Sequence, residues 1–440
     1  MSPSPDRSYR ALLAVPSLGR MLLGMQVARI GQAMVSVAMV LFTLAEFHSA
    51  ALAGLVTFVG IFPGLIAAPI AGALLDRHGR TRLVVLDEVV AACSMLLIGG
   101  LAAAGLLTPP LLVLIAGLSS LTGPLSNTGL RSLFPLLVPR HLWERANAFD
   151  SNGYVLATVV GPPVAGLVVQ LVGGPVALAG IGVVFAIAAV VLLGTPDPPT
   201  ATVSSGRLLL DAWRGLLYTW RNPTLRALGF SISAVNLSGG MVAIVVPLIV
   251  LNRLHLGPAA VGGMFAVMGV FGVLAAFLFG RLDSDGRERR MLTWSMLGCA
   301  AATLLLLPDA GPLPLVASLG LVGLLNGPMD IALFTLRQRR TDPAWMGRAF
   351  AVSMAFNYLG NPVGSAVAGW LAGVSVPAAV AFGAGGCLAG AAIARWAIPD
   401  AHGPAPGAAR QWSERTAARG ATGAPDPRSS PAVEAEISDG

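Results

Sequence analysis

The sequence contains no lysine, and only 11% of its 440 residues are charged. Soluble domains carry roughly 25% charged residues, whereas 55% of this chain is hydrophobic. This composition excludes an ordinary soluble domain and indicates an integral membrane protein. The absence of lysine also excludes a P-loop, because its GxxxxGK[ST] motif needs that side chain. If the chain transports, an ion or solute gradient must therefore supply the energy.

Cysteine and histidine are also scarce. The three cysteines lie apart in apolar runs, which predicts neither a disulfide framework nor a metal site. The five histidines fall in predicted loops or in the C-terminal tail, and no paired acids or activated nucleophile accompany them. We therefore expect no enzyme, no metal and no cofactor.

Twelve apolar runs are long enough to cross a bilayer, which takes about 20 residues. Only helices and closed barrels satisfy their own backbone in lipid, and runs without alternation indicate helices. The sequence therefore predicts an all-α integral membrane fold with twelve transmembrane helices. The runs cover residues 18–44, 51–75, 83–106, 111–135, 153–173, 175–193, 225–251, 258–280, 291–307, 313–336, 349–373 and 377–393.

The arginines predict the orientation. With the N-terminus in the cytoplasm, every basic loop lies inside and only Arg253 lies outside, as the positive-inside rule requires. Both termini are thus expected in the cytoplasm, with the chain in the plasma membrane. The net charge of +7 needs no nucleic-acid partner. The segment MSPSPDRSYR lacks the features of a cleaved signal peptide, so the first span is expected to remain.

The chain repeats itself at spacings of 202 to 207 residues. GPLS at Gly123 returns as GPMD at Gly327, WERA at Trp143 returns as WMGRA at Trp345, and LLDRHGR at Leu74 has a degraded echo in RLDSDGR at Arg281. Two pseudo-symmetric six-helix halves, 1–193 and 223–398, are therefore predicted, both pointing the same way. The linker 194–222 contains RLLLDAWRGLLYTW, whose apolar side chains share one helical face, so an amphipathic helix on the cytoplasmic surface is expected. The composition of 399–440 predicts a disordered tail.

The loop after the second run reads GALLDRHGR and resembles the GxLaDrxGrk signature of the major facilitator superfamily. LFPLLVPRHLWERANAFDS, residues 133–151, resembles the fourth-to-fifth span connection of the drug-efflux-like branch, which contains 12-span drug/proton antiporters. The resemblance extends from residue 11 to about 398 and implies alternating access by a monomer. It also implies a cytoplasmic gate formed by Gly72, Asp76, Arg77, Gly79 and Arg80.

Physical chemistry is consistent with such a gate. Asp76 could face a positive helix N-terminus, and Arg77 or Arg80 could pair with Asp87 or Glu144. Gly72 would allow close helix approach, and Gly79 a tight turn. The simpler alternative is a basic turn that only fixes the topology.

GPPVAG in the fifth span is similar to a glycine-proline signature associated with exporters, although only part of that signature is present. Its residues Gly161, Pro162, Pro163 and Gly166 are a plausible gate-packing element. Small residues and prolines are also common in membrane helices simply for packing and kinks. The motif therefore does not by itself establish export.

Polar residues deep in the spans are the candidates for cargo contact: Gln26, Arg29, Gln32, Asn127, Asn236 and Asp330. In the first span they recur every three or four residues and so share a face. Arg29 near the bilayer centre would cost at least about 2.5 kcal/mol without water or a partner. Asp330 is expected to be the only acid deep within a span and to pair with Arg29, because the family resemblance places their spans around the cavity. A static ion pair that fixes helix packing is the alternative.

These features predict a secondary active transporter, specifically a proton-coupled exporter of small amphipathic compounds such as antibiotics or secondary metabolites. Asp330 would exchange the proton, with Glu46 as a second candidate. The alternative is an uptake symporter or a uniporter for a small solute such as an anion. The expected partners are a small-molecule substrate, a proton and the lipid bilayer.

Overall fold

The computed structural model describes residues 8–197, 208–280, 286–307, 311–342 and 345–399. Within these ranges some side chains are not described, among them those of Asp76 and Glu144. The tail predicted to be disordered lies outside the described residues, apart from Pro399. The same holds for the linker before Leu208, apart from 194–197.

All regular elements in the described ranges are helices, and they form twelve spans that we number in chain order. Spans 2, 4 and 11 consist of two helices each. The spans are Leu18–Phe47; Ala50–Val59 with Phe62–His78; Arg80–Ala103; Pro109–Ser120 with Gly123–Leu137; Trp143–Val172; Gly174–Leu192; Pro223–Leu248; Pro258–Phe279; Glu288–Leu304; Pro312–Arg339; Met346–Tyr358 with Gly360–Val374; and Val376–Ala397.

Four further elements flank, connect or extend the spans. They are the short helix Tyr9–Leu13, the 3-10 turn Arg140–Leu142, the linker helix Leu208–Arg221 and the π-helical turn Ile249–Arg253.

Among the described residues, ten of the helical segments are long and apolar enough to cross a membrane. Spans 9 and 11 are not among these ten, but their packing is consistent with the predicted number of twelve. Span 9 has only 17 residues, but it packs against spans 10 and 12. Span 11 is divided, and its second helix packs against spans 7 and 2. The all-helical fold is therefore confirmed, and the bundle is consistent with twelve crossings.

The breaks in spans 2, 4 and 11 have a common cause. In each case a proline lies among the first residues of the second helix: Pro63, Pro124 and Pro362. Proline lacks the backbone N–H of a helical hydrogen bond, and its ring clashes with the preceding turn. The hydropathy of the sequence shows continuous runs at these places, so it does not predict the breaks.

Span 5 starts earlier than expected. It begins at Trp143 rather than at residue 153 and has 30 residues. Its first turns contain Glu144, Arg145 and Asp150, which a hydropathy reading assigns to a loop. A helix can carry such residues where it faces the bundle interior instead of lipid, and Asp150 does so.

The two halves repeat the same internal packing. Span 3 packs on span 6 as span 9 packs on span 12, and span 1 packs on spans 5 and 6 as span 7 packs on spans 11 and 12. The described termini and the linker helix lie at one end of the bundle, which we call the arginine-rich end. The other end is called the opposite end.

The linker helix Leu208–Arg221 is present as predicted and is attached to the C-terminal half. The Tyr218 ring stacks on Trp345 with centroids 5.0 Å apart, and the Tyr218 hydroxyl accepts a hydrogen bond from the Asp342 backbone N–H at 3.0 Å. Asn222 donates to the Arg340 carbonyl at 2.9 Å. Aromatic stacking and backbone hydrogen bonds together therefore hold this helix against spans 10 and 11.

Candidate functional site

A charged cluster joins spans 1, 4 and 5. The Arg29 guanidinium forms an ion pair with the Asp150 carboxylate and donates to the Asp150 backbone carbonyl at 2.9 Å. Arg131 of span 4 binds the other carboxylate oxygen at 3.1 Å. The Arg29 and Asp150 side chains are only 11% and 10% exposed, whereas Arg131 is 53% exposed. One buried carboxylate therefore neutralises a buried arginine and holds a second arginine that remains accessible.

Tyr154 completes this cluster. It lies one helical turn after Asp150, so both side chains share a face of span 5. The guanidinium carbons of Arg29 and Arg131 lie 3.7 and 4.6 Å from the centre of its ring. These distances are within the range of cation–π attraction. An aromatic surface is thus fixed beside the accessible arginine.

Span 1 approaches span 5 closely because Gly153 has no side chain. A Cβ atom at this position would collide with the Gln26 amide and would lie 3.0 Å from an Arg29 nitrogen. Gln26 in turn donates to the Gly153 carbonyl at 3.1 Å. Two of the predicted cavity residues, Gln26 and Arg29, are therefore bound to span 5.

The predicted ion pair between Arg29 and Asp330 is wrong, because Arg29 pairs with Asp150. The hydropathy pattern assigns Asp150 to a loop, which leaves Asp330 as the only acid expected deep in a span. Asp87 and Glu88 inside span 3 also contradict that expectation. Arg131 offers a usable signal, since it is a cation within a predicted span and lies one turn after Asn127.

The C-terminal half has an uncharged counterpart of the cluster. Asn236 of span 7 lies 207 residues after Arg29, and it donates to the Asn357 backbone carbonyl of span 11 at 2.8 Å. Both hydrogen bonds, from Arg29 to Asp150 and from Asn236 to Asn357, join residues 121 positions apart. The structure thus gives these two residues equivalent partners, one pair charged and the other neutral.

Asp330 lies in span 10 with an exposed side chain. Among the described residues, no hydrogen bond or ion pair to it is present. Tyr358 of span 11 is close enough to interact electrostatically with Asp330, with Tyr154 and with Arg131. Tyr358 is itself 55% exposed. An accessible carboxyl group of one half therefore faces the same space as the accessible arginine of the other.

Two predicted cavity residues have less specific surroundings. Gln32 of span 1 is exposed, and Asn127 of span 4 is exposed and donates only to the Gly123 carbonyl of its own helix at 3.2 Å. Among the described residues, no neighbouring span holds either side chain. They remain candidate cargo contacts.

The loop between spans 2 and 3 is organised by Gly79 and Asp197. Gly79 has a φ of 92°, so the predicted tight turn is present. Asp197, which follows span 6, accepts a hydrogen bond from the Thr81 backbone N–H at 3.0 Å. A carboxylate is favourable at this positive helix terminus. Asp197 thus caps this helix terminus, while the side chain of Asp76 lies outside the described residues and its expected position at a helix N-terminus stays a prediction.

The described residues do not support two other expectations for this loop. A Cβ atom at Gly72 would meet no described atom within 4 Å, so Gly72 makes no close helix approach to the described part of the chain. Asp87 does not pair with Arg77 or Arg80 but faces Ser126 and Thr122 of span 4. The alternative partner, Glu144, has a side chain outside the described residues, so pairing with it stays a prediction. Arg80 itself is buried and Arg77 is exposed.

A pair of adjacent acids lies between spans 3 and 4. Asp87 and Glu88 are 7% and 3% exposed, and Ser126 donates to one Glu88 carboxyl oxygen at 2.9 Å. Ser126 is in the first turn of the second helix of span 4, directly after the break, where backbone N–H groups lack helical partners. From the sequence, only Asp87 was a candidate here, as a partner for the loop arginines.

The two halves meet at the opposite end through four glycines. Gly54 of span 2 lies against Ser365 and Gly369 of span 11, and a Cβ at Gly369 would lie 2.9 Å from the Gly54 Cα. Gly166 of span 5 lies in the same way against Gly262 of span 8, where a Cβ at Gly166 would lie 3.2 Å from the Gly262 Cα. Small residues allow such close approach in membranes. We call these two contacts the glycine seal.

The fifth-span motif takes part in this seal. A Cβ at Gly262 would lie 2.8 Å from the Pro163 Cα and would collide with the Pro162 carbonyl. Gly161 faces span 1, where a Cβ would lie 2.5 Å from that of Ala33. The motif residues thus pack against both halves. At the arginine-rich end, the described parts of Phe62–His78 and Met346–Tyr358 show no comparable packing against each other.

Two repeated six-helix halves that are sealed at one end, with accessible polar groups between them, define a membrane transporter. The chain belongs to the Major Facilitator Superfamily, whose family model matches residues 21–282 and 228–431.

Comparisons with individual proteins agree with this assignment. The chain is 38% identical to an uncharacterised MFS-type transporter, y4rN of Sinorhizobium fredii, over 82% of this chain and 90% of the relative. It is 27% identical to the multidrug efflux pump Tap of Mycolicibacterium fortuitum over 73% and 80% of the two chains. The crystal structure of a mutant of the nucleoside transporter NupG has a similar fold, with a TM-score of 0.68 and 14% identity over 86% of this chain and 100% of that one.

Proposed function

We propose that the protein is a proton-coupled exporter of small amphipathic compounds that works by alternating access. The observation that carries the proposal is the accessible, unpaired carboxyl group of Asp330 among the described residues of the space between the halves. A charged group within a membrane span is energetically costly, so its presence there indicates a function. The similarity to an efflux pump supports export.

The conformation supports alternating access. The glycine seal closes the opposite end, while the described inner helices of spans 2 and 11 do not pack together at the arginine-rich end. Positive loops favour the cytoplasmic side, so the arginine-rich end is taken as cytoplasmic, with both termini there. Cargo then enters from the cytoplasm in the present conformation.

The groups around Asp330 favour amphipathic cargo. Tyr154 and Tyr358 offer aromatic surface from both halves, and Asp330 offers a negative charge when ionised. A lipophilic cation could bind against this carboxylate. After reorientation, proton uptake by Asp330 from the more acidic outer side would neutralise it and release the cargo, and the neutral form would return with the proton.

A second candidate function is movement of a small anion by symport or uniport. Arg29 no longer supports it, because Asp150 neutralises this arginine. Arg131 does support it, since its guanidinium is 53% exposed although it is bound to Asp150. An anionic cargo would contact Arg131 and would not require Asp330 to titrate.

Reconstituted liposomes with an imposed pH gradient separate these functions. We expect gradient-driven movement of cationic dyes or antibiotics that Asp330→Asn loses, together with tight binding of the cationic cargo, because the amide mimics the protonated form that releases cargo. Glu46→Gln is the matched acid-to-amide control, since Glu46 is exposed at the opposite end, and it is expected to keep the gradient dependence. Equal, gradient-independent movement by wild type and Asp330→Asn would exclude coupling through Asp330. Loss in Glu46→Gln alone would transfer coupling to that residue.

A further inference from the structure

A cavity of about 510 Å³ opens at the arginine-rich end of the C-terminal half. Its walls come from the start of span 9, the end of span 10 and the end of span 12. Its described lining belongs to this half alone, so the cavity is separate from the space between the halves that contains Asp330. The residues that carry the argument are Arg289, Arg290, Trp294, Leu297, Arg340 and Arg395.

The described lining is strongly cationic. It contains four arginines and one acid, Glu288. Glu288 is only 5% exposed, and its carboxylate already binds Arg339 at 2.6 Å. Arg290 and Arg395, in contrast, are exposed at the cavity. The charge that the cavity presents to a ligand is therefore positive.

The cavity also has an apolar side that points toward the membrane interior. Trp294 lies one helical turn beyond Arg290, and Leu297 lies almost another turn farther along span 9. Trp294 is 64% exposed, and Trp396, next to Arg395, is 80% exposed. Tryptophan is enriched where a bilayer meets water. The arginines thus lie at headgroup depth, and the tryptophan and leucine lie beside the acyl region.

We propose that this cavity binds the headgroup of an anionic phospholipid, with its phosphate between Arg290 and Arg395 and an acyl chain along Trp294 and Leu297. Guanidinium groups form charge-assisted hydrogen bonds with phosphate oxygens. Basic pockets between membrane helices on the cytoplasmic side are suited to such lipids. A free phosphate ion would use the arginines but would gain nothing from the apolar side. The site is independent of the proposed transport cycle.

The test uses the full chain in nanodiscs of phosphatidylcholine that contain a small fraction of phosphatidylglycerol, and it measures retained lipid by native mass spectrometry. The double variant Arg290→Gln/Arg395→Gln should bind phosphatidylglycerol about 25-fold more weakly, at roughly fivefold for each arginine. The control is Arg221→Gln, which removes one exposed charge from the linker helix outside the cavity. It should retain wild-type binding. Unchanged thermal unfolding would show that the double variant is folded.

Competition distinguishes the lipid from a soluble anion. Inorganic phosphate and glycerol phosphate should displace phosphatidylglycerol poorly, and Trp294→Ala should weaken the lipid without affecting those small anions. Equal weakening by Arg221→Gln would overturn the proposal in favour of general surface attraction. Displacement by inorganic phosphate at the lipid's own concentration would overturn it in favour of a free-anion site.

Discussion

The two halves of the molecule build equivalent helix contacts from different chemistry. In the N-terminal half, Arg29 and Arg131 share the carboxylate of Asp150. In the C-terminal half, the carboxamide of Asn236 binds the Asn357 backbone at the corresponding place. Both halves therefore keep a contact between the first and fifth helices of the half, but only the N-terminal half makes it with charged groups. The charged version fixes Arg131 beside Tyr154, which the neutral version cannot do.

A second difference concerns the acids near spans 4 and 10. Ser126 and Asp330 occupy matching places in GPLS and GPMD. Ser126 donates to Glu88 of span 3. The acid next to this position is therefore Glu88, which is buried away from the space between the halves. Asp330 is exposed to that space. The N-terminal half thus offers positive charge to a cargo, and the C-terminal half offers the carboxyl group.

The strongest test removes the charge that distinguishes the N-terminal half. Asp150→Asn should destabilise the protein by about 3 to 5 kcal/mol, because it leaves Arg29 buried without a counter-ion. Thermal unfolding in detergent measures the loss. The double variant Arg29→Asn/Asp150→Asn gives this half the chemistry of the other and should recover much of the stability. Arg131 is half exposed, so water can solvate it. A double variant as unstable as Asp150→Asn would show that the charge itself is required for folding.

The glycine seal is the feature in which the halves agree, since Gly54 meets Gly369 as Gly262 meets Gly166. Gly54→Ala places a methyl group against the Ser365 carbonyl and should cost about 1 to 3 kcal/mol by overpacking. The seal should also open more often. A reagent added at the opposite end would detect this opening by labelling a cysteine introduced at Gln32. Gly263→Ala is the control, because a Cβ there would meet no atom within 4 Å. Similar labelling of both variants would contradict the seal.

The buried acids of span 3 provide a smaller effect. Glu88→Gln keeps an acceptor for the Ser126 hydroxyl but removes one of two adjacent buried ionisable groups. It should stabilise the protein by about 1 kcal/mol at neutral pH, because burying an ionisable carboxyl group without a compensating positive charge is unfavourable in either protonation state. Unfolding in detergent measures this gain. In the liposome assay the variant should keep the pH-gradient dependence. Loss of the pH-gradient dependence in Glu88→Gln would indicate that the coupling acid lies in span 3 and is not Asp330.

The smallest effect is expected at the neutral contact. Asn236→Ala removes one hydrogen bond and should cost about 1 kcal/mol, well below the effect of Asp150→Asn. The same unfolding assay measures it. A cost as large as that of Asp150→Asn would mean that the two halves rely equally on this contact. The contrast between charged and neutral halves would then be irrelevant to stability.

Hydrophobic runs predict the fold well, because only long helices satisfy backbone groups in lipid. They fail where a helix carries polar residues toward the interior, so they start span 5 at residue 153 instead of Trp143. They also fail at Pro63, Pro124 and Pro362, where a continuous apolar run conceals a break. Both errors arise because hydropathy averages over faces and is insensitive to backbone geometry.

The site was only partly predictable. Depth in a span identifies Arg29, Asn236 and Asp330 as unusual, since each is costly in lipid. Depth does not determine which neighbour a side chain faces, so it favours Asp330 over Asp150 as the partner of Arg29. The face shared by Asp150 and Tyr154 becomes visible only once the helix is known to begin at Trp143. Likewise, no sequence pattern links Asp197 to the Thr81 backbone.

The glycine seal has an electrical consequence. It closes the opposite end by placing backbone against backbone, as at Gly54 and Gly369, and the nearby Ser365 hydroxyl is already bound to the Gly240 carbonyl at 3.2 Å. These contacts therefore offer little to hold a file of water molecules. Protons cross low-dielectric barriers along files of water molecules. Other ions are excluded from such barriers by the free-energy cost of dehydration. In this conformation the protein is expected to act as an insulator that preserves the membrane potential while the cargo space is open to one side.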